Sequence, residues 1–195
     1  MSIGNEIKET YKSIPEPVKS FLKRTLLVFI MWKLVYHIFL YNDRVIDEPL
    51  THLTSYSTSK VLSRIYPVNQ FSVYTDCKPF SAKDSTVSCI DIIKMDYRKA
   101  VGISDYCNGL ELYILYIGFL FCIPASTGRA FLFGIIGISI IYVSNIIRCV
   151  AIAMMNIHQN RLTDIAHHYI FKMIMYSMIF LLWLFYAKRN SNKES

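Results

Sequence analysis

Asp105-Tyr106-Cys107-Asn108-Gly109-Leu110-Glu111 joins a polar, loop-like segment to a long apolar run. Asn108 is a favoured N-cap residue, and Glu111 stands three positions later, the spacing of a capping box. The stretch therefore predicts a helix start. It sets Cys107 beside the positive end of the helix macrodipole, where a thiol pKa falls and the thiolate becomes more available. A cysteine at a membrane boundary can equally be a packing residue. What weighs against that reading is where the chain later places Arg148 and His167.

Working outward toward the C-terminus, Gly109–Ala125 is apolar and ends at Pro124 and the turn Ser126-Thr127-Gly128. Ala130–Met155 is the longest apolar run, Asn156–Ala166 is a polar connection, and His168–Ala187 is the last run, followed by Lys188, Arg189 and Lys193. Toward the N-terminus, Thr25–Tyr41 is apolar and follows a tail carrying Lys8, Lys12, Lys19, Lys23 and Arg24. No small-residue cleavage site follows this run, which reads as a retained helix rather than a signal peptide. Lys33 and His37 share one face of it and are expected to look into the bundle or a polar cavity. Between the first and second runs, Pro49–Ile65 reads as an amphipathic helix with Leu50, Leu53, Val61, Leu62 and Ile65 as its apolar positions, suited to a membrane surface. Gln70–Tyr74 and Thr86–Ile93 alternate as a small hairpin would.

The chain of 195 residues is 53% hydrophobic and only 18% charged, below the roughly 25% charged usual for soluble domains. Together with the apolar runs, this predicts an all-α integral membrane protein: one domain over residues 1–195, a polytopic helical bundle of about four spans. The spans are expected at 25–41, 109–125, 130–155 and 168–187, with a loop region, 42–106, between the first and second. The net charge of +7 does not point to nucleic acid, because the basic residues form no stripe with interleaved aromatics. They flank apolar runs instead. The N-terminal tail, the turn holding Arg129 and the C-terminal tail are basic, whereas 42–106 carries eight basic and eight acidic residues. The positive-inside rule then places both termini in the cytoplasm and 42–106 outside the cytoplasmic membrane.

Five cysteines stand at 77, 89, 107, 122 and 149. Their spacing with histidine resembles no zinc site, so neither metal nor cofactor is expected. Cys122 and Cys149 lie in apolar runs and read as packing residues. Cys77 and Cys89 share the outer segment, where a disulfide is possible.

This topology carries three reactive groups to one depth. Cys107 opens the second span. Arg148 lies 18 residues beyond Ala130, about 27 Å up the helix at 1.5 Å per residue. His167 opens the fourth span. A thiolate attacks a carbonyl to give a thioacyl intermediate, a fixed guanidinium stabilises the oxyanion, and an imidazole moves the proton. Asn145, one turn before Arg148, is a candidate to orient the guanidinium or the substrate backbone; Asn108 and Glu111 are further orientation candidates. Singly, each group has an ordinary reading: Arg148 as a snorkelling cation or partner of Glu111, His167 and His168 as interfacial residues. Thiol–disulfide exchange is disfavoured because Cys107 has no resolving cysteine near it in sequence. The alternative from another class is a non-catalytic membrane subunit supporting export or exopolysaccharide assembly.

Cys-Asn-Gly-Leu-Glu-Leu at 107–112, Tyr-Val-Ser-Asn-Ile-Ile-Arg at 142–148 and His-His-Tyr-Ile-Phe at 167–171, followed by Leu-Leu-Trp at 181–183, resemble the exosortase/archaeosortase family. The resemblance runs from about residue 20 to 187 and is strongest after 105. It implies a polytopic membrane cysteine transpeptidase whose partner is a membrane-embedded substrate protein. That substrate would carry a C-terminal sorting signal made of a short motif, a transmembrane helix and a basic cluster. It implies Cys107, Arg148 and either His167 or His168 as the catalytic groups, acting at the outer face of the membrane.

Overall fold

The computed structural model describes residues 16–35, 44–81, 84–122 and 127–191. Five helices and one sheet follow in order: α1 Glu16–Val35, α2 Asp47–Ile65, β1 Phe71–Ser81, β2 Asp84–Met95, β3 Arg98–Ser104, α3 Leu110–Cys122, α4 Thr127–Ile157 and α5 Phe171–Ser191. A 3₁₀ turn, Asp105–Cys107, links β3 to α3, and a short helical turn, Thr163–Ile165, with a π-helical turn, Ala166–Ile170, leads into α5.

The fold is mostly helical and not all-α. Segment 42–106 was expected as a loop region; its described part is a folded unit of α2 and an antiparallel sheet in the order β1-β2-β3. The expected hairpin forms but is longer, with Cys77 directly opposite Cys89 in register and joined to it by a disulfide. The third strand went unread because it opens on Arg98-Lys99 and contains Gly102, which weaken a strand pattern. Pairing with β2 makes it a strand.

One face of the sheet packs Ile93, Ala100, Val101 and Ile103 against Leu62 of α2 and Cys149, Val150, Ile152 and Ala153 of α4. Polar ties fix this packing. The buried Asp91 carboxylate accepts from Thr75 Oγ1 at 2.8 Å and pairs with His52 Nδ1 at 2.8 Å. Asn156 Nδ2 of α4 donates to the Ala100 carbonyl at 3.0 Å.

Helix α2 forms where the amphipathic pattern predicts, and its buried side is mostly hydroxyl residues. Thr51, Thr54, Ser55 and Thr58 are buried with Leu62, whereas Leu53, Val61 and Ile65 are exposed. Small hydroxyl side chains allow close helix approach: Thr54 Oγ1 donates back to the Leu50 carbonyl at 2.8 Å, and half-buried Ser57 Oγ pairs across to Tyr142 OH of α4 at 2.8 Å.

A second core lies among α3, α4 and α5, with Tyr113, Tyr116 and Leu120 against Phe133 and Ile141 and against Met175, Ile179 and Tyr186. Tyr116 OH donates to the Phe133 carbonyl at 2.9 Å. A Cβ at Gly137 would collide with the Tyr116 ring, so α3 and α4 need glycine where they cross. Outward-facing apolar side chains such as Leu26, Ile147, Met173 and Leu181 are exposed. In lipid they need no protein partner.

Among the described residues, two helices are long and apolar enough to cross a membrane, Gly128–Ile157 and Thr163–Arg189. The third expected span falls within the first of these, which extends beyond it at both ends. The fourth begins in irregular helix rather than at a clean start. Helix α3 has 13 described residues, about 20 Å of helix against a roughly 30 Å hydrocarbon core. The first expected span, 25–41, overlaps a helix that starts earlier, at Glu16, and carries Lys19, Lys23 and Arg24. The expected shared face of Lys33 and His37 falls outside the described side chains.

Candidate active site

The turn Asp105–Cys107 presents its cysteine between helices. Helix α3 begins at Leu110, one residue later than a cap at Asn108 requires, and Gly109 takes φ +88° to make the bend. Asn108 still serves the helix end: its Oδ1 accepts from the Leu110 N–H at 2.9 Å. Its Nδ2 donates to Asp47 Oδ1 at 2.9 Å, and the residue is fully buried. Asn145 Nδ2 donates to the Cys107 carbonyl at 3.0 Å, binding the turn to α4. A side chain at Gly109 would press on Asn145, with Nδ2 at 3.3 Å from an added Cβ. Asn145 thus contacts the cysteine backbone directly, and Asn108 ties the following residues to α2. Glu111 is exposed and takes no part in this knot, so no capping box closes.

Arg148 is 8% exposed, one turn beyond Asn145. It is not a snorkelling side chain at a free surface. His167 sits in the π-helical turn, partly buried, while His168 is exposed with its ring edge-on to His167 at 5.1 Å between centroids. Burial acts most strongly on the Cys107 thiol and raises its pKa. Hydrogen bonding from His167, the Arg148 charge and hydrogen bonding from Ser104 outweigh it and bring the thiol down to about 7. Arg148, His167 and Ser104 are thus the neighbours that act on the Cys107 thiol, and His168 is not among them. Ser104, at the end of β3, is a neighbour that the sequence did not single out.

Three buried polar atoms here have no hydrogen-bond partner among the described residues: Arg148 Nε, His167 Nδ1 and Asn145 Oδ1. Buried polar groups are nearly always paired, so a cluster of unpaired ones around a thiol marks a place where something else binds. No group of His, Cys, Asp and Glu suited to a metal ion occurs among the described residues.

The thiol's acidity has a direct readout. A thiolate alkylates and a thiol does not, so the rate of Cys107 alkylation by iodoacetamide is expected to rise with pH through about 7. Below that midpoint it should fall about tenfold per pH unit. Peptide-resolved mass spectrometry follows it; a midpoint near that of a free cysteine, about 8.5, contradicts the arrangement.

Apolar helices of membrane length, with a thiol held at a helix entrance beside a buried guanidinium and an imidazole, define a membrane protein with a cysteine-centred site. The chain matches the family model of the transmembrane exosortases (Exosortase_EpsH) over residues 17–185 and belongs to that family, which is generally one of cysteine transpeptidases. Comparison with characterised proteins and with solved structures finds no match.

Proposed function

We propose that this exosortase is a membrane cysteine protease/transpeptidase that cleaves the C-terminal sorting signal of exported proteins at the outer face of the cytoplasmic membrane. The observation that carries the reading is the thiol of Cys107 beside Arg148 and His167, both with buried nitrogens that lack partners. A non-catalytic subunit has no use for such a constellation.

In the proposed reaction the Cys107 thiolate attacks the scissile carbonyl carbon and forms the C–S bond. The carbonyl π electrons move to oxygen, where Arg148 receives the charge. Collapse of that intermediate breaks the C–N bond, and protonated His167 gives its proton to the leaving amine. An incoming nucleophile then loses a proton to His167, attacks the thioester and expels Cys107 as thiolate. Transfer to an acceptor or plain hydrolysis follows according to whether that nucleophile is an acceptor group or water. Asn145 and Asn108 hold the turn, and Asn145 Oδ1 is free to accept from a substrate N–H.

The Cys77–Cys89 disulfide supports an outer location for the sheet, because disulfides persist in oxidising compartments. In this reading α1 and α3 are spans beside α4 and α5, and four crossings with basic flanks support cytoplasmic termini and Cys107 on the outer side.

The test is to trap the thioester. The tagged full chain is recovered from acid-quenched native membranes, digested, and its Cys107 peptide searched for an acyl adduct that hydroxylamine removes. An adduct whose acyl part ends at a cleavage site in a membrane-anchored protein is expected. Substrate processing that persists in Cys107→Ser, with no adduct on the wild type, assigns the chain a scaffold role instead.

A further inference from the structure

The turn that carries Cys107 is held by a second set of residues, from a segment 61 positions earlier in the chain. Arg44 forks onto Asp105: Nε donates to Oδ2 at 2.7 Å and a terminal nitrogen donates to Oδ1 at 2.8 Å. Thr51 Oγ1 donates to the same Oδ1 at 2.9 Å and lies 3.3 Å from Asn108 Nδ2. The pair is mostly shielded, with side-chain exposures of 16% for Arg44 and 23% for Asp105. Arg44 also takes φ +48°, a backbone conformation that non-glycine residues seldom adopt. Here it delivers the guanidinium in the planar, two-pronged geometry that a carboxylate matches.

We propose that Arg44 is a positioning residue for Cys107, which fixes the nucleophile's turn through Asp105 and cancels the carboxylate charge inside that turn. The inference rests on the reading of Cys107 as the nucleophile, but its test does not require the sorting reaction. Asp105 stands two positions before Cys107, with Tyr106 between them. An unpaired carboxylate there opposes formation of a second negative charge, and a fork onto it removes that opposition while pinning the turn. The charged or titratable groups that face the thiol are Arg148 and Cys149 from α4 and His167 from the π-helical turn; Asp47 of α2 reaches the turn through Asn108. Asp105 is the carboxylate within the turn itself, and Arg44, which also faces Asp47 and Glu48, is its cationic partner.

The experiment is the pH profile of Cys107 alkylation by iodoacetamide, read by peptide-resolved mass spectrometry on the full chain in detergent. Arg44→Ala is expected to raise the midpoint by about one pH unit, which slows alkylation roughly tenfold on the acid limb and leaves the alkaline plateau unchanged. Arg44→Gln keeps a hydrogen bond without the charge and is expected to raise it similarly, so either folded variant decides the matter. Arg44→Lys should stay near the wild-type midpoint. The double variant Arg44→Ala/Asp105→Asn should return to it, because the charge that Arg44 cancels is gone. A midpoint unmoved in the folded single variants, or not restored in the double variant, overturns the assignment. Loss of the trapped thioester with this profile intact would instead count against the sorting reaction and leave the clamp standing.

Discussion

Arg148→Lys should lower substrate processing by about 10²–10³-fold without lowering the amount of protein in the membrane. The positive charge is kept, so the experiment asks what the planar fork contributes. Arg148 is buried at 8% exposure with Nε unpaired. A guanidinium in that position presents several donors in fixed directions to an oxyanion or a substrate carbonyl, whereas lysine offers a mobile point charge. The Cys107 alkylation midpoint separates the two contributions. It should stay near 7 in Arg148→Lys and rise in Arg148→Ala, because the Arg148 charge is one of the causes holding the thiol down. Pulse-chase of the sorting substrate at matched membrane levels provides the rate. Near-normal processing by the lysine variant would show Arg148 to be a structural cation.

The site was legible because its members are anomalies in their surroundings. An arginine inside a 31-residue apolar helix and a cysteine and a histidine at helix entrances stand out against sequence that otherwise serves lipid contact. Helix α4 was read within a few residues for the same reason. Two features had no local signal. The Arg44–Asp105 fork joins positions far apart in sequence, and neither residue differs from any loop residue until the fold unites them. The buried face of α2 was hidden because small hydroxyl residues, not apolar ones, fill most of it, and only the packing partners reveal which side is inside. Exposed Leu53 and Val61 stand among exposed Glu48, His52, Lys60 and Arg64, while buried Thr54 and Thr58 pack with Leu62 toward the rest of the fold. The sheet was half read for a third reason. Strand character in β3 comes from its register with β2, Ile92 opposite Gly102 and Ile93 opposite Val101, and not from its composition.

The remaining large effect belongs to the histidine pair. His167→Ala should reduce processing by about 10²–10⁴-fold, and His168→Ala by only a few-fold. Neighbouring residues on a regular helix point about 100° apart, so only one of the two can face Cys107. The turn that holds them, Ala166–Ile170, is π-helical rather than regular. Such turns insert a residue into the helix and re-aim side chains, and they are frequent at functional sites. Here His167 is turned inward with Nδ1 buried and unpaired, and His168 is left exposed with its ring edge against the first. The inward ring acts on the thiol both by hydrogen bonding and by charge. Removing it should therefore also raise the Cys107 alkylation midpoint, an effect that His168→Ala should lack. The two variants are compared at equal membrane abundance, by processing and by alkylation profile together. A dead His168→Ala beside an active His167→Ala would move the proton-transfer role one residue along the turn. Normal processing by both would leave the thiol and the guanidinium without a histidine partner, and the proton would have to travel through water alone.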